Sequence, residues 1–167
     1  IPCYNRLLVF SEDSACFMFA ELKTDSLGNT YTSFPVYELH SSKGNIALGL
    51  GCSVENTPIT ICRDGLNRWV STAIADERSA KVFSERAFKF MAGIDKSYTN
   101  TLLFNRKASS ELWLCTSNGT LIYNYALDCF YIYSLTNVRA LYEVGSDLLL
   151  GTSDGEVCLF SKRYDND

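Results

Sequence analysis

Few residues in this chain are of a type that does acid–base or nucleophilic chemistry at neutral pH, and those few are scattered. The only histidine, His40, lies in Glu38-Leu-His40-Ser-Ser. A nucleophilic triad needs a base held between a nucleophile and an orienting group, and adjacency of His and Ser in sequence supplies neither. His40 reads instead as a solvent-facing residue at a strand end. No G-x-S-x-G elbow, P-loop or dinucleotide fingerprint occurs, and Gly49-Leu-Gly51 lacks the third glycine and the helix that phosphate binding requires. Carboxylates occur at Glu12-Asp13, Asp76-Glu77, Asp147 and Asp154. A pair of them across a cleft would suit glycoside hydrolysis. Asp147 and Asp154, however, belong to a repeat in which they serve backbone geometry. The seven cysteines are odd in number and form no C-x-x-C pair, and several sit inside apolar runs. They read as buried, reduced thiols that act as small hydrophobes. A single histidine leaves no Cys/His zinc cluster with ligand-like spacing. The expectation is a non-enzyme with no catalytic residues, no metal and no cofactor.

The elements that would position any site are announced by a repeat. Glu111-Leu-Trp-Leu-Cys-Thr-Ser-Asn-Gly119 and Asp147-Leu-Leu-Leu-Gly-Thr-Ser-Asp-Gly155 align without a gap, 36 residues apart. A second apolar run follows each. Asn-Gly and Asp-Gly between apolar runs are hairpin signals, because type I′ turns need positive φ at both central residues. Degenerate copies appear around residues 11–15 and 63–65. A hairpin repeated at this period predicts β-propeller-like blades. The segments 101–104, 111–115, 120–125 and 129–133 predict one complete four-stranded blade, and 140–160 begins the next. Thr24 to Ser33 reads as a polar loop, and Phe34 to Leu39 as an edge strand marked by its proline. One helix is predicted over 76–92: Ala80, Phe83, Ala87, Phe90 and Met91 share a face, Asp76 caps it and Gly93 ends it. The fold class is therefore mainly β, a partial propeller with one inserted helix, in a single domain over 1–167.

Composition bounds the function. The chain has 167 residues, 47% hydrophobic and 20% charged, so it can bury a core. The net charge of −4 supplies no basic field for nucleic acid. No apolar run reaches the roughly 20 residues that cross a bilayer. Ile1-Pro-Cys-Tyr-Asn-Arg shows no signal peptide and no starting Met, which predicts a fragment of a longer protein. Tyr123, Tyr125, Tyr131 and Tyr133 alternate along two adjacent strands, which places each set on one face. Such a ladder meets a sugar or a protein, or packs between blades.

Ser33-Phe-Pro-Val-Tyr-Glu-Leu-His-Ser-Ser-Lys-Gly-Asn45 is followed by Val54 to Gly65, then Trp69-Val-Ser-Thr, then Asp76-Glu-Arg-Ser-Ala-Lys-Val-Phe-Ser-Glu-Arg86. This order resembles phage and prophage virion proteins, tail or head–tail connector components of the packaged-DNA stabilisation or tail-hub type. The resemblance spans roughly residues 33 to 160. It implies a structural role without catalysis, with the helix or blade edges meeting other virion subunits or a second copy, in a virion or in reducing cytoplasm. Trp69, Arg78 and Arg86 then join the four tyrosines as the candidate interaction surface. Two other readings compete. Leu-Leu-Leu-Gly-Thr-Ser-Asp-Gly also resembles the blade signature of bacterial sensor propellers, which implies a ligand- or carbohydrate-reading module. A propeller hydrolase would need two carboxylates facing a cleft.

Overall fold

The structure, a computed structural model, describes residues 1–3, 6–47, 50–71, 78–94 and 100–160. The chain is mainly β, with five small antiparallel sheets and one short α-helix among the described residues. It divides into two compact units, Ile1–Phe83 and Ser84–Asp167. No helix among the described residues is long and apolar enough to cross a membrane.

The first unit opens with β1 (Pro2–Cys3), β2 (Arg6–Phe10) and β3 (Ala15–Met18), which pair in order and then with β6 (Val36–His40). Between β3 and β6 the chain forms a separate hairpin, β4 (Glu21–Thr24) and β5 (Thr30–Ser33). The loop predicted over Thr24 to Ser33 is therefore the turn of a hairpin, at 25–29, together with its second strand. Its Thr and Tyr side chains suit extended backbone, and Gly28 takes the positive φ of +84° that its turn needs. β6 lies at a sheet edge, as Pro35 just before it suggested. A second meander follows: β7 (Cys52–Val54), β8 (Thr57–Cys62), β9 (Gly65–Ser71) and β10 (Arg78–Val82).

Trp69 on β9 is fully buried in this unit. Its indole N–H donates to Thr60 Oγ1 at 2.9 Å, and Phe10 and His40 pack on its ring at 5.2 and 5.9 Å. Buried Asn45 holds the preceding loop, accepting from the Ile61 amide at 3.1 Å and donating to the carbonyls of Ala47 and Leu50. Gly44 is required by its neighbours: a Cβ there would collide with the Ser11 carbonyl and lie 2.7 Å from that of Ser14.

The helix predicted over 76–92 is mostly not formed. Arg78–Val82 pairs with β9 instead, Ala80 opposite Trp69 and Val82 opposite Asn67. A strand here satisfies the open edge of β9, which outweighs two or three helical contacts. Only a 3-10 turn at Glu85–Ala87 and α1 (Phe88–Ala92) remain helical. Gly93 does end α1, with a right-handed φ of −87°. Asp76 and Glu77 lie outside the described residues.

The second unit carries α1 and the meander β11 (Leu102–Arg106), β12 (Glu111–Thr116), β13 (Gly119–Asn124) and β14 (Cys129–Tyr133). These are the four strands the sequence predicted as one sheet. A three-stranded sheet follows: β15 (Val138–Val144), β16 (Asp147–Thr152) and β17 (Val157–Phe160). Trp113, Cys115 and Ile122 from the first of these sheets form one core with Leu148 and Leu150 from the second. The Phe160 ring stands edge-on to Trp113 at 5.2 Å.

The repeat is a turn device built on threonine. Thr116 Oγ1 accepts from the Asn118 amide and donates to the Gly119 carbonyl. Thr152 Oγ1 accepts from the Glu156 amide. The turns are not the predicted type I′, since Asn118 and Asp154 have no positive φ. Gly155 follows a turn in which its amide reaches the Thr152 carbonyl and the Thr152 amide reaches Glu156, a three-residue loop closed by glycine at φ +83°. The positive-φ pair occurs elsewhere, at Glu55-Asn56 between β7 and β8, with φ of 48° and 62°.

Candidate interaction surface

Two of the seven candidate residues, Trp69 and Tyr123, are buried. Trp69 is core, not contact, because its indole is the anchor of the first unit. The side chain of Arg78 lies outside the described residues. The tyrosine ladder divides. Tyr123 pairs with Phe130 and Tyr131 with Ile122, so Tyr123 and Tyr131 point to opposite faces of one sheet. Tyr131 and Tyr133 share one face, and Tyr123 and Tyr125 the other.

Tyr123 is buried, stacks on Phe130 at 4.8 Å and donates to Asp128 Oδ1 at 2.9 Å. Tyr125 reaches Asn105 Oδ1 at 3.4 Å. Arg86 does meet this group: its exposed guanidinium donates to the Asp128 carbonyl at 3.3 Å and lies 3.9 Å from the carboxylate. Tyr131 and Tyr133 are the exposed members, at 46% and 41%. Tyr133 also meets the edge of Phe160 at 6.2 Å, which is contact between sheets. The Cys129 sulfur lies 3.2 Å from the Tyr131 oxygen, and this neighbour holds the phenol above its ordinary value.

The acid–base candidates are also held by structure. His40 Nδ1 accepts from the Ser42 amide at 3.2 Å while the ring packs on Trp69. It is therefore half-buried rather than solvent-facing. Asp154, in the β16–β17 turn, accepts from the Asn137 side-chain amide at 3.1 Å. Arg63 spans Glu12 and Asp13 at 3.4 and 3.0 Å, tying the β2–β3 turn to the β8–β9 turn. Beside it, Lys43 donates to Asp64 at 2.6 Å and Asn67 donates to the same carboxylate. Burial works to raise the Asp64 carboxyl, but these two bonds hold it below its ordinary value. Among the described residues, no three His, Cys, Asp or Glu side chains group as metal ligands.

Of the cysteines, Cys62 and Cys115 are buried and Cys158 is exposed, which corrects the expectation for the last. Cys158 lies on β17, which among the described residues pairs only with β16. Burial pushes the Cys115 thiol up to about 11 and that of Cys52 up to about 12.

Sequence reasoning missed the β4–β5 hairpin, the most exposed element of the first unit. Leu22 is 79% and Leu27 85% exposed. The tip is nonetheless fixed. Asp25 Oδ1 accepts from the Leu27 and Asn29 amides, both at 2.8 Å, and Oδ2 accepts from the Asn29 side chain at 3.0 Å. The Asn29 bonds hold the Asp25 carboxyl below its ordinary value. The Asp25-Ser-Leu-Gly-Asn29 spacing was the available signal, since Asp bonds amides two residues on.

No protein-family model and no curated protein matches this chain.

Proposed function

We propose that this chain is a non-catalytic assembly domain: a β-propeller-like series of blades that joins protein subunits, in a phage or prophage virion. The observation that carries the assembly reading is apolar sheet surface left in solvent. Leu7, Val9 and Val36 of the first sheet are 43%, 45% and 61% exposed, and Tyr142, Val157 and Leu159 of the last are 68%, 73% and 54% exposed. Contiguous apolar surface of this kind marks protein contact sites. Successive antiparallel meanders with short turns support the blade description. The virion setting rests on the sequence resemblance over residues 33–160.

A ligand-reading module is the second reading, favoured by one cluster. The rings of Phe17, Phe19 and Tyr37 lie within 19° of parallel at 5.3 to 6.1 Å, with the Arg6 guanidinium 4.8 Å from Phe17. Aromatic walls with a few polar groups are common in ligand sites.

Quantitative mass spectrometry of gradient-purified particles tests the first reading. The expected result is the chain present at a fixed ratio to the tail or connector subunits. Its absence from particles, together with oligosaccharide binding that Tyr37→Ala removes, would replace the first reading with the second.

A further inference from the structure

β14 is the least protected strand edge among the described residues. It pairs with β13 on one side, and no described strand pairs with the other. An open edge presents a row of backbone N–H and C=O groups to any strand that arrives, and proteins blunt such edges with short strands, proline or charge. The other edges here are blunted or shorter. β1 has two residues, one of them proline, and β7 has three. β4 carries Glu21 and Lys23, β6 carries Glu38 after Pro35, and β10 carries Lys81. β11 ends on Arg106, and β15 carries Arg139 and Glu143. β5 and β17 have four residues each. β14 has five, and neither charge nor proline occurs from Cys129 to Val138. Tyr131, Ile132 and Tyr133 are 46%, 63% and 41% exposed. An exposed segment of high β-propensity without charge or proline is the kind that pairs with another chain.

We infer that β14 pairs antiparallel with β14 of a second copy of this chain, about a two-fold axis at Tyr131. The backbone of an open edge calls for an extended strand, and the sequence of β14 matches itself. With the axis at Tyr131 the whole strand is used: Tyr131 faces Tyr131, Phe130 faces Ile132, and Cys129 faces Tyr133. Aromatic pairs and aromatic–β-branched pairs are the ones that stabilise an antiparallel ladder. Just outside the strand, Asp128 of each copy meets Ser134 of the other, so no like charges are opposed. The chain carries a net charge of −4, so two copies meet best through an uncharged element, and β14 supplies one. The contact is isologous: it closes at a dimer and joins two four-stranded sheets into one. The inference rests on the assembly reading and names one partner, a second copy.

Light scattering and sedimentation of the chain under reducing conditions, over a hundredfold concentration range, test it together with hydrogen exchange of the β14 amides. The expected result is a mass that rises from 18.7 kDa toward twice that value and no further, with β14 exchange slowing as it rises. Tyr131→Lys and Tyr131→Glu, made separately, each set two like charges face to face on the axis and abolish the dimer. Mixing the two variants restores it, because opposite charges then meet. Unchanged thermal unfolding of both verifies the fold, and Ile132→Lys, at the most exposed position of the strand, repeats the loss without touching Tyr131. A parent chain that stays monomeric throughout overturns the inference. So does association that survives these charges, or a loss that mixing does not restore, since the strands are then not registered on Tyr131. If the parent chain is monomeric and β14 exchange slows only inside purified particles, a strand of another protein occupies the edge; the assembly reading stands and the self-pairing falls.

Discussion

The buried ion pair of the second unit offers the sharpest test of how that unit is held together. Arg106 on β11 is fully buried, and its partner Glu111 on β12 is 14% exposed. The guanidinium donates to Glu111 Oε2 at 3.2 Å and to the Ser146 carbonyl at 2.7 Å, and it lies 5.7 Å from the Phe160 ring centre. The same Glu111 oxygen accepts the Trp113 indole N–H at 3.0 Å. Glu111→Ala therefore leaves a buried cation with one strong acceptor and an indole with none. Breaking one side of a buried pair costs about 3–5 kcal/mol. Replacing both charges, as Arg106→Met with Glu111→Gln, removes the cation and returns an acceptor to Trp113. It should cost clearly less than the sum of the two single changes. With a urea slope of about 2 kcal/mol per molar, the Glu111→Ala midpoint falls by about 2 M. The two units need not unfold together, so the assay needs a reporter in the second one. Trp113 is that reporter once Trp69, the only other tryptophan, is changed to Phe. A midpoint shift below about 0.5 M, or a double variant as costly as the sum, would show that the pair is solvated and its members independent.

Gly44→Ala should destabilise the first unit by about 1–3 kcal/mol, read as a lowered unfolding midpoint by Trp69 fluorescence, because its Cβ has no room beside Ser11 and Ser14. The Asp25 carboxyl lies below its ordinary value when folded, so its hold on the hairpin tip is full above the unfolded carboxyl's value and is lost as pH falls through the lowered one. Amide exchange at Leu27 and Asn29, followed by NMR, should therefore accelerate below about pH 4, and Asp25→Ala should show the fast exchange at all pH values. Alkylation at pH 8 followed by mass spectrometry should modify Cys158 within the native state and leave Cys62 and Cys115 protected until unfolding, since one thiol is exposed and the others are buried.

The second unit was legible in the sequence because its signals agree with one another. Glu111–Thr116 and Gly119–Asn124 combine continuous apolar runs with a threonine and a glycine at the turn, and the strand pairing follows. The first unit was harder because its signals conflict. Residues 78–82 carry a helical period and good helix formers, and the open backbone edge of β9 overrides both. The β4–β5 hairpin escaped notice because its strands hold Thr, Lys, Glu and Tyr rather than an apolar run, so no hydrophobic pattern marked them. Trp69 entered the candidate surface only through the resemblance, as part of Trp69-Val-Ser-Thr. Only the pairing with Ala80 and the bond to Thr60 show that it faces inward. The split of the tyrosines depends on register across β13 and β14, and alternation within each strand does not encode register between strands.

The hairpin inserted between β3 and β6 also sets an order of events in folding. Within the β11–β14 sheet, β12 and β13 are joined by two residues, so Thr116 and Gly119 meet almost as soon as the turn forms. In the first sheet, Met18 must find Val36 across the 17 residues that separate them. Closing that loop costs about 2 kcal/mol more in chain entropy than closing one of two residues. If β4 and β5 close on each other first, the span collapses to a few free residues and most of that cost disappears. The carboxylate of Asp25 then acts on the folding rate of the first sheet as well as on the shape of the tip. Slowing the hairpin would delay the arrival of the sheet's last strand, leaving β3 with an unpaired edge for longer during every round of folding.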